Sequence, residues 1–200
     1  MTDRISEIIE KRRSIRKFKT DEVPEEFIRQ MLEAARVAPS AKNRQPWRFM
    51  VIKGESKERI LLEMEKGIKA SGRSLFIPKK FRNGLVSAEN TLRIMREAPV
   101  VILVFNTLSK NPYPPVFAGK RISEIHNTLS IGAAIENMLL CATGLGLGTL
   151  WIGNTVYAHK QITRYLGTKE QLASAVAVGY PDEEPEGRPR KTLDEICGGV

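Results

Sequence analysis

The longest helical pattern in the chain runs from about 121 to 143 and ends in "GLGLGTLWIG", Gly144 to Gly153. Along it Ile122, Ile125, Leu129, Gly132, Ala133, Leu139 and Leu140 recur at helical spacing. The three alternating glycines look like half of a phosphate-cradling loop, but their place in the chain excludes one. A dinucleotide fingerprint follows a strand and opens a helix, so that the helix N-terminus meets the pyrophosphate. Here the glycines close a helix and lead into the strand candidate "TLWIG", with spacing G-x-G-x-G. Gly144 is expected to cap the helix. The glycines beyond it suit a tight helix-to-strand turn, where a flat ligand can approach backbone closely.

The remaining elements follow from periodicity. Helices are expected over 3–12, over a stripe from Phe27 to Ala35 that Pro24 introduces, over 56–70 and over 85–97. "WRFMVIK", "VVILVF" and "LASAVAVGYP" read as strands, and the prolines of 110–121 as a loop. A regular β-α-β-α alternation is missing, which favours α+β over a doubly wound sheet. Gly132, Ala133 and Ala134 let another backbone approach the long helix. That backbone belongs either to the same domain or to a second subunit.

No repeat or long linker divides the 200 residues, and a single domain over 1–200 is expected. Cys141 and Cys197 make no disulfide framework, and nothing near them has metal-ligand spacing. The N-terminus lacks an apolar signal core and "VVILVF" is too short to span a bilayer, so a cytoplasmic protein is expected. The net charge of +9 lies wholly in residues 1–100, with 23 Lys and Arg against 14 Asp and Glu. These basic residues are interleaved with acids, without stacking aromatics or a nucleic-acid-binding signature. The charge therefore reads as a solvated face with a few groups for a small phosphorylated ligand.

The best phosphate candidate is "RRSIRKF", Arg12 to Phe18. In an extended segment Arg12, Ser14 and Arg16 share one face, and two guanidiniums with a hydroxyl make an oxyanion clamp. Alone, such a heptapeptide is equally a piece of basic surface.

"RRSIRKF" is followed in order by "AARVAPSAKNRQPWRFMVI", "GAAIENMLLCATGLGLGTLWIG" and "AVAVGYPDEEPEGRPRKTLDEI". This ordered set, spanning nearly the whole chain, resembles the FMN-dependent nitroreductase family. The resemblance implies an α+β nitroreductase-like fold, a central mostly antiparallel sheet flanked by helices, in an intertwined homodimer with FMN at the subunit interface. It further implies that Arg12, Arg13, Ser14 and Arg16 hold the phosphate, ribityl chain and pyrimidine edge of FMN. Pro39, Ser40, Ala41, Asn43 and Gln45 would reach the same flavin from the other subunit. Leu150, Trp151, Ile152 and Gly153 would line one isoalloxazine face, with a backbone N–H aimed at N5. Arg190 would return to the phosphate with Lys191 or Arg188.

The implied activity is hydride transfer from NADH or NADPH through the flavin to nitroaromatics, quinones or similar flat acceptors. No side-chain nucleophile or metal is required, and no nucleic-acid or membrane partner is implied. A specialised reductase (a deiodinase, a flavin-cleaving enzyme or an enoate reductase) and a non-catalytic phospholigand or nucleic-acid binder are the alternatives. One departure concerns Ser130, two residues before "GAA", where family members often carry an acid. Residues 70–84 and 110–121 are expected to cover the open flavin face, with Phe76, Phe81, Tyr113 and Phe117 as stacking candidates. Lys79, Lys80 and Arg82 either meet an NADPH phosphate or face water. His126 reads as a polar helix residue, His159 as a surface residue, Cys141 as a small buried one, and Glu136 as a partly exposed acid at the interface.

Overall fold

The structure, a computed structural model, describes residues 4–73, 82–110 and 118–198. Seven helices are described: α1 (Arg4–Lys11), α2 (Glu25–Arg36), α3 (Gly54–Gly72), α4 (Arg82–Glu97), α5 (Ala118–Gly144), α6 (His159–Tyr165) and α7 (Leu193–Ile196). Four strands, β1 (Trp47–Lys53), β2 (Val100–Asn106), β3 (Gly148–Ile152) and β4 (Gln171–Gly179), form one sheet in the order β1-β2-β4-β3. Every neighbouring pair is antiparallel. The expected α+β class with a mostly antiparallel sheet is what the chain adopts.

The sequence of β2 explains the layering. Every residue of Val100–Asn106 is buried, although antiparallel strands commonly wet one face. Val101, Leu103 and Phe105 point into a core with Ile60, Met64, Leu92 and Ile162 from α3, α4 and α6. Val100, Ile102 and Val104 point the other way, into a core with Met31 of α2 and Ile135 and Met138 of α5. Helices therefore cover both faces, and an uninterrupted apolar run is the only pattern that suits the middle of such a sandwich. Each of these side chains contributes roughly 1.5–3 kcal/mol when buried.

Two local devices fix the ends of helices near these cores. The Lys57 amine is buried and donates to the carbonyls of Arg96 (2.9 Å) and Ala98 (2.7 Å), closing the C-terminal end of α4. At the end of α5 the expected cap moves. Gly144 is still helical, because Leu145 N–H bonds back to the carbonyls of Cys141 and Ala142. The left-handed residue is Gly146, at φ +76°, with Gly146 N–H on Thr143 (3.1 Å) and Leu147 N–H on Ala142 (2.9 Å). That 6→1 and 5→2 pair is a Schellman turn, and it swings the chain straight into β3.

His159 is the clearest departure from expectation: it is buried at the start of α6. Its Nδ1 accepts the Leu172 N–H at 3.2 Å, and the ring also bonds the Lys110 backbone. A polar ring at a helix start reads as solvated; here it satisfies backbone groups where β4 begins and β2 has ended. Cys141 is half-buried at the rim of the α2–α5 core. His126 is exposed on α5. Among the described residues no helix is long and apolar enough to cross a membrane. Phe76, Lys79, Lys80, Phe81, Tyr113, Phe117 and the Arg82 side chain lie outside the described residues, as does most of the expected cover over 70–84 and 110–121. Of its ends, 70–72 continue α3, 82–84 open α4, and 118–121, expected as loop, open α5.

Candidate functional site

The segment after α1 lies along the free edge of β3. Ser14 and Thr149 form a parallel bridge, and Ile15 N–H donates to the Thr149 carbonyl at 2.9 Å. Gly148 makes this approach possible: a Cβ there would fall 2.7 Å from Ile15 Cγ1. Ile15 is buried, which turns its neighbours Ser14 and Arg16 to the opposite side, as an extended backbone requires. Further along, Lys19 N–H bonds the Tyr180 carbonyl, Asp182 N–H bonds the Lys17 carbonyl, and Phe18 bridges Pro181. The Glu183 carboxylate accepts the N–H groups of both Arg16 and Lys17.

The side chains of this segment divide into committed and free groups. Arg12 pairs with Glu136 of α5 at 3.5 Å, so the half-exposed acid on the long helix has its partner here. Arg13 donates to the carbonyls of Glu10 and Arg12. Among the described residues the exposed guanidinium of Arg16 donates to the Ser14 carbonyl alone, at 3.1 Å. The C-terminal run returns beside them: a Cβ on Gly187 would lie 3.0 Å from Arg13 Nη2. Arg190, three residues further, is exposed and bonds the Arg188 carbonyl at 3.2 Å. Lys191 is exposed as well. Arg12, Arg13, Ser14 and Arg16 are thus gathered on one edge, whereas the Arg190 guanidinium is turned to its own segment.

On β3 the alternation separates the four candidates. Leu150 and Ile152 are core side chains, so any part they take in a site is through their backbone. Trp151 is 44% exposed, large for an indole, and its ring lies beside the bare face of Gly132 on α5. Gly153 is exposed, with open space where a Cβ would be. Since Thr149 turns its carbonyl to the edge, Trp151 in the same strand presents its backbone groups there too. Gly153 instead leaves the extended conformation (φ −89°, ψ −15°), and its carbonyl accepts the Val156 N–H at 3.4 Å.

The third group is the turn between α2 and β1. Lys42 (φ +55°), Asn43 (φ +52°) and Gln45 (φ +46°) are all left-handed without being glycine. Such residues cost roughly 1–3 kcal/mol each and collect at ligand clamps and active sites. Asn43 N–H bonds the Ser40 carbonyl (2.9 Å), Gln45 N–H bonds Ser40 Oγ (3.0 Å), and Gln45 Nε2 donates to Asn43 Oδ1 (3.1 Å). Ala41 N–H bonds Ser130 Oγ of α5 at 3.2 Å. Pro39 is exposed at the loop's entry. Sequence reasoning found the loop through its resemblance, but not the strain: no glycine marks it, and Ser130 was known only as a missing acid.

Helix α5 carries both halves. Gly132 and Glu136 touch the β3 side, and Ser130, about 160° around the helix from Gly132, touches the loop. Between these flanks Ile122, Ile125 and Leu129 are exposed. The 530 Å³ cleft beside the N-terminal segment lies on its Ile15 side, among Lys11, Arg13, Lys19, Asp182, Glu183 and Glu184. Of the candidate residues Arg13 lines this cleft, whereas Arg12, Arg16 and Trp151 lie outside its wall.

An α+β sandwich of this order, with an arginine-rich segment zipped to an edge strand, defines a recognisable class. The chain matches the Nitroreductase family over residues 9–180 and belongs to that family. It is 30% identical over 191 residues to the provisionally named NAD(P)H nitroreductase YfhC of Bacillus subtilis, covering 94% of this chain and 90% of that protein. It is 31% identical over 202 residues to rat iodotyrosine deiodinase 1, covering 95% of this chain and 67% of the rat protein. Among solved structures it resembles a Bacteroides fragilis nitroreductase with bound FMN, at 25% identity and a TM-score of 0.72, over all of both chains.

Proposed function

We propose that this protein is a homodimeric, FMN-dependent oxidoreductase that takes hydride from NADH or NADPH and passes it to a flat electron-poor acceptor, a nitroaromatic or a quinone, in two half-reactions. The observation that carries the reading is the edge itself. Guanidiniums from Arg12, Arg13 and Arg16, the Ser14 hydroxyl and an exposed Trp151 indole lie along one strand that ends in an open Gly153.

The residues present fit FMN by their chemistry. Its phosphate is a dianion, and arginine forks with a hydroxyl suit it. Among the described residues the hydrogen-bonded Asn43–Gln45 pair leaves one amide N–H₂ and one amide carbonyl free, a donor and an acceptor that match a pyrimidine edge. When bound, FMN supplies the two-electron chemistry. Arg12, Arg13 and Ser14, with Arg190 and Lys191 or Arg188 from the returning tail, hold the phosphate end. Arg16 places a positive charge near the pyrimidine edge. Trp151 keeps water from one ring face, and the backbone of Leu150 to Gly153 offers an N–H to the ring. Pro39, Ser40, Ala41, Asn43 and Gln45 act from the second copy.

The exposed face of α5 supports a second copy. Its exposed stripe Ile122, Ile125 and Leu129 separates the two groups of candidate residues, and a partner seated on that stripe brings its own residues to each flank. We further take residues 1–200 as one cytoplasmic domain.

A deiodinase reading is favoured by one observation, the 31% identity to rat iodotyrosine deiodinase 1. The test is direct. A yellow preparation whose released cofactor has the mass of FMN, bleached anaerobically by NADH or NADPH, is the expected result. Reoxidation by a nitroaromatic and not by iodotyrosine supports the reductase; the reverse supports the deiodinase. A colourless protein that shifts nucleic acid in a salt-dependent way overturns both.

A further inference from the structure

We propose that Ser130 is the positioning residue of the flavin-facing loop: its buried hydroxyl latches Ala41 and thereby registers the Pro39–Gln45 turn to α5. The inference rests on the FMN reading above, but its structural half stands alone.

Ser130 is 6% exposed, and its hydroxyl is fully used. It donates to the His126 carbonyl at 2.8 Å, one turn back on α5, and accepts from the Ala41 N–H at 3.2 Å. A hydroxyl has one proton to give. Because the His126 bond takes it, the oxygen faces the loop only as an acceptor, which is what an N–H requires.

The loop needs an outside anchor. Its other hydrogen bonds, from Asn43 and Gln45 to Ser40, from Arg44 to Ala41 and from the Gln45 amide to Asn43, all lie within residues 40–45. They fix the shape of the turn and leave its position free. Among the described residues, the hydrogen bond from residues 40–45 to another element is Ala41 on Ser130. Three left-handed non-glycine residues inside the turn make the bent shape costly, and such shapes persist only where the surroundings determine them. The latch holds the start of the strained run, and the buried Pro46, bonded through its carbonyl to Thr107, holds the end.

The choice of helix gives the latch its function. On α5 Gly132 lies against Trp151 and Glu136 pairs with Arg12, so the same rigid rod indexes the N-terminal edge and the loop. Ser130 adjoins Leu129, which is exposed on the stripe where a second copy sits. A neutral hydroxyl makes this connection without placing a carboxylate beside the loop, so the Asn43 and Gln45 amides meet the ring without a neighbouring buried charge.

The experiment compares wild type with Ser130→Ala, Ser130→Cys and Ser130→Thr in the full-length protein. Three quantities are read: exchange of the Ala41 amide without FMN, FMN affinity by flavin fluorescence, and the visible circular dichroism of the bound flavin. Ser130→Ala leaves the Ala41 N–H without an acceptor. Ser130→Cys preserves size with a weak one and carries the comparison if the alanine variant does not fold. In both, the Ala41 amide should exchange faster, FMN should bind about tenfold more weakly and the visible dichroism should change. Ser130→Thr, which retains the hydroxyl, should restore all three. Unaltered Ala41 exchange overturns the latch. Faster exchange with wild-type FMN affinity and dichroism reduces the bond to a structural one and overturns the positioning role. A wild-type protein that takes up no FMN overturns the FMN reading instead, and the positioning role with it, while Ala41 exchange still decides the latch.

Discussion

At the scale of single residues, the candidate arginines are not equivalent. On the proposed reading Arg190→Ala should remove a charge-assisted contact to the phosphate worth roughly 1.5–3 kcal/mol, and FMN should bind about tenfold to a hundredfold more weakly. Turnover at saturating FMN should be nearly intact; unchanged affinity in a fluorescence titration would mean that Arg190 is only surface. Arg16 differs because, among the described residues, the Ser14 carbonyl alone occupies its guanidinium. Arg16→Gln should lower the midpoint potential of bound FMN by some tens of millivolts, since a unit charge about 4 Å from the ring is worth up to ~4 kcal/mol at an effective dielectric near 20. Redox titration of the FMN-saturated variant checks this, and a potential equal to wild type contradicts it. Arg12 suits neither experiment. Its pairing with Glu136 would mix the loss of a phosphate contact with the release of an acid on α5.

Among the elements, α5 repays attention. Apolar residues surround it, yet Ile122, Ile125 and Leu129 are exposed in one chain, which fits a helix with a buried inner face and a second copy on its outer face. In the proposed dimer, Leu129→Asp should yield a monomer in light scattering and release FMN with it; a flavin-loaded dimer of normal mass would remove this stripe from the interface. This helix also shows what the sequence could and could not reveal. Periodicity located it and the strand after it, because repeating apolar spacing directly records which side is buried. The Schellman turn fell at Gly146 and not Gly144, because glycine within a last turn is tolerated and three candidates two residues apart look alike. His159 and the strained turn at Lys42, Asn43 and Gln45 were hidden for a related reason. Burial of a lone polar ring, or a left-handed backbone without glycine, is imposed by distant partners such as Leu172 and Ser130. The arginines and the PSAKNRQ loop were legible as a group through their order along the chain.

For the whole molecule, His159 sets an acid limit. Burial lowers its pKa below the usual 6.5, and the bond to the Lys110 backbone opposes the shift only in part. A histidine held neutral in the fold is protonated more readily when unfolded, so its contribution is present above about pH 6.5 and lost as pH falls below it. Thermal midpoints should therefore decline from about pH 6.5 downward, well before the carboxylates act. Glu65, held down to about 2 by Lys69 and Arg96, responds far lower. His159→Gln, which keeps an acceptor for Leu172, should flatten the decline between pH 6.5 and 5; an unchanged slope would assign it to another group.

The burial of β2 on both faces gives the molecule an internal gauge. Hydrogen-bonded to β1 and β4 and covered by helices above and below, its amides have no local route to solvent. Their hydrogens can be traded for deuterium only when the entire fold opens, so their exchange reports global stability. A ligand that binds only the folded form adds about 2.7 kcal/mol at a hundred times its Kd, which slows that exchange roughly a hundredfold. Val101 to Phe105 would thus register flavin, nicotinamide or acceptor without touching any of them, and candidate substrates can be ranked on the strand farthest from view.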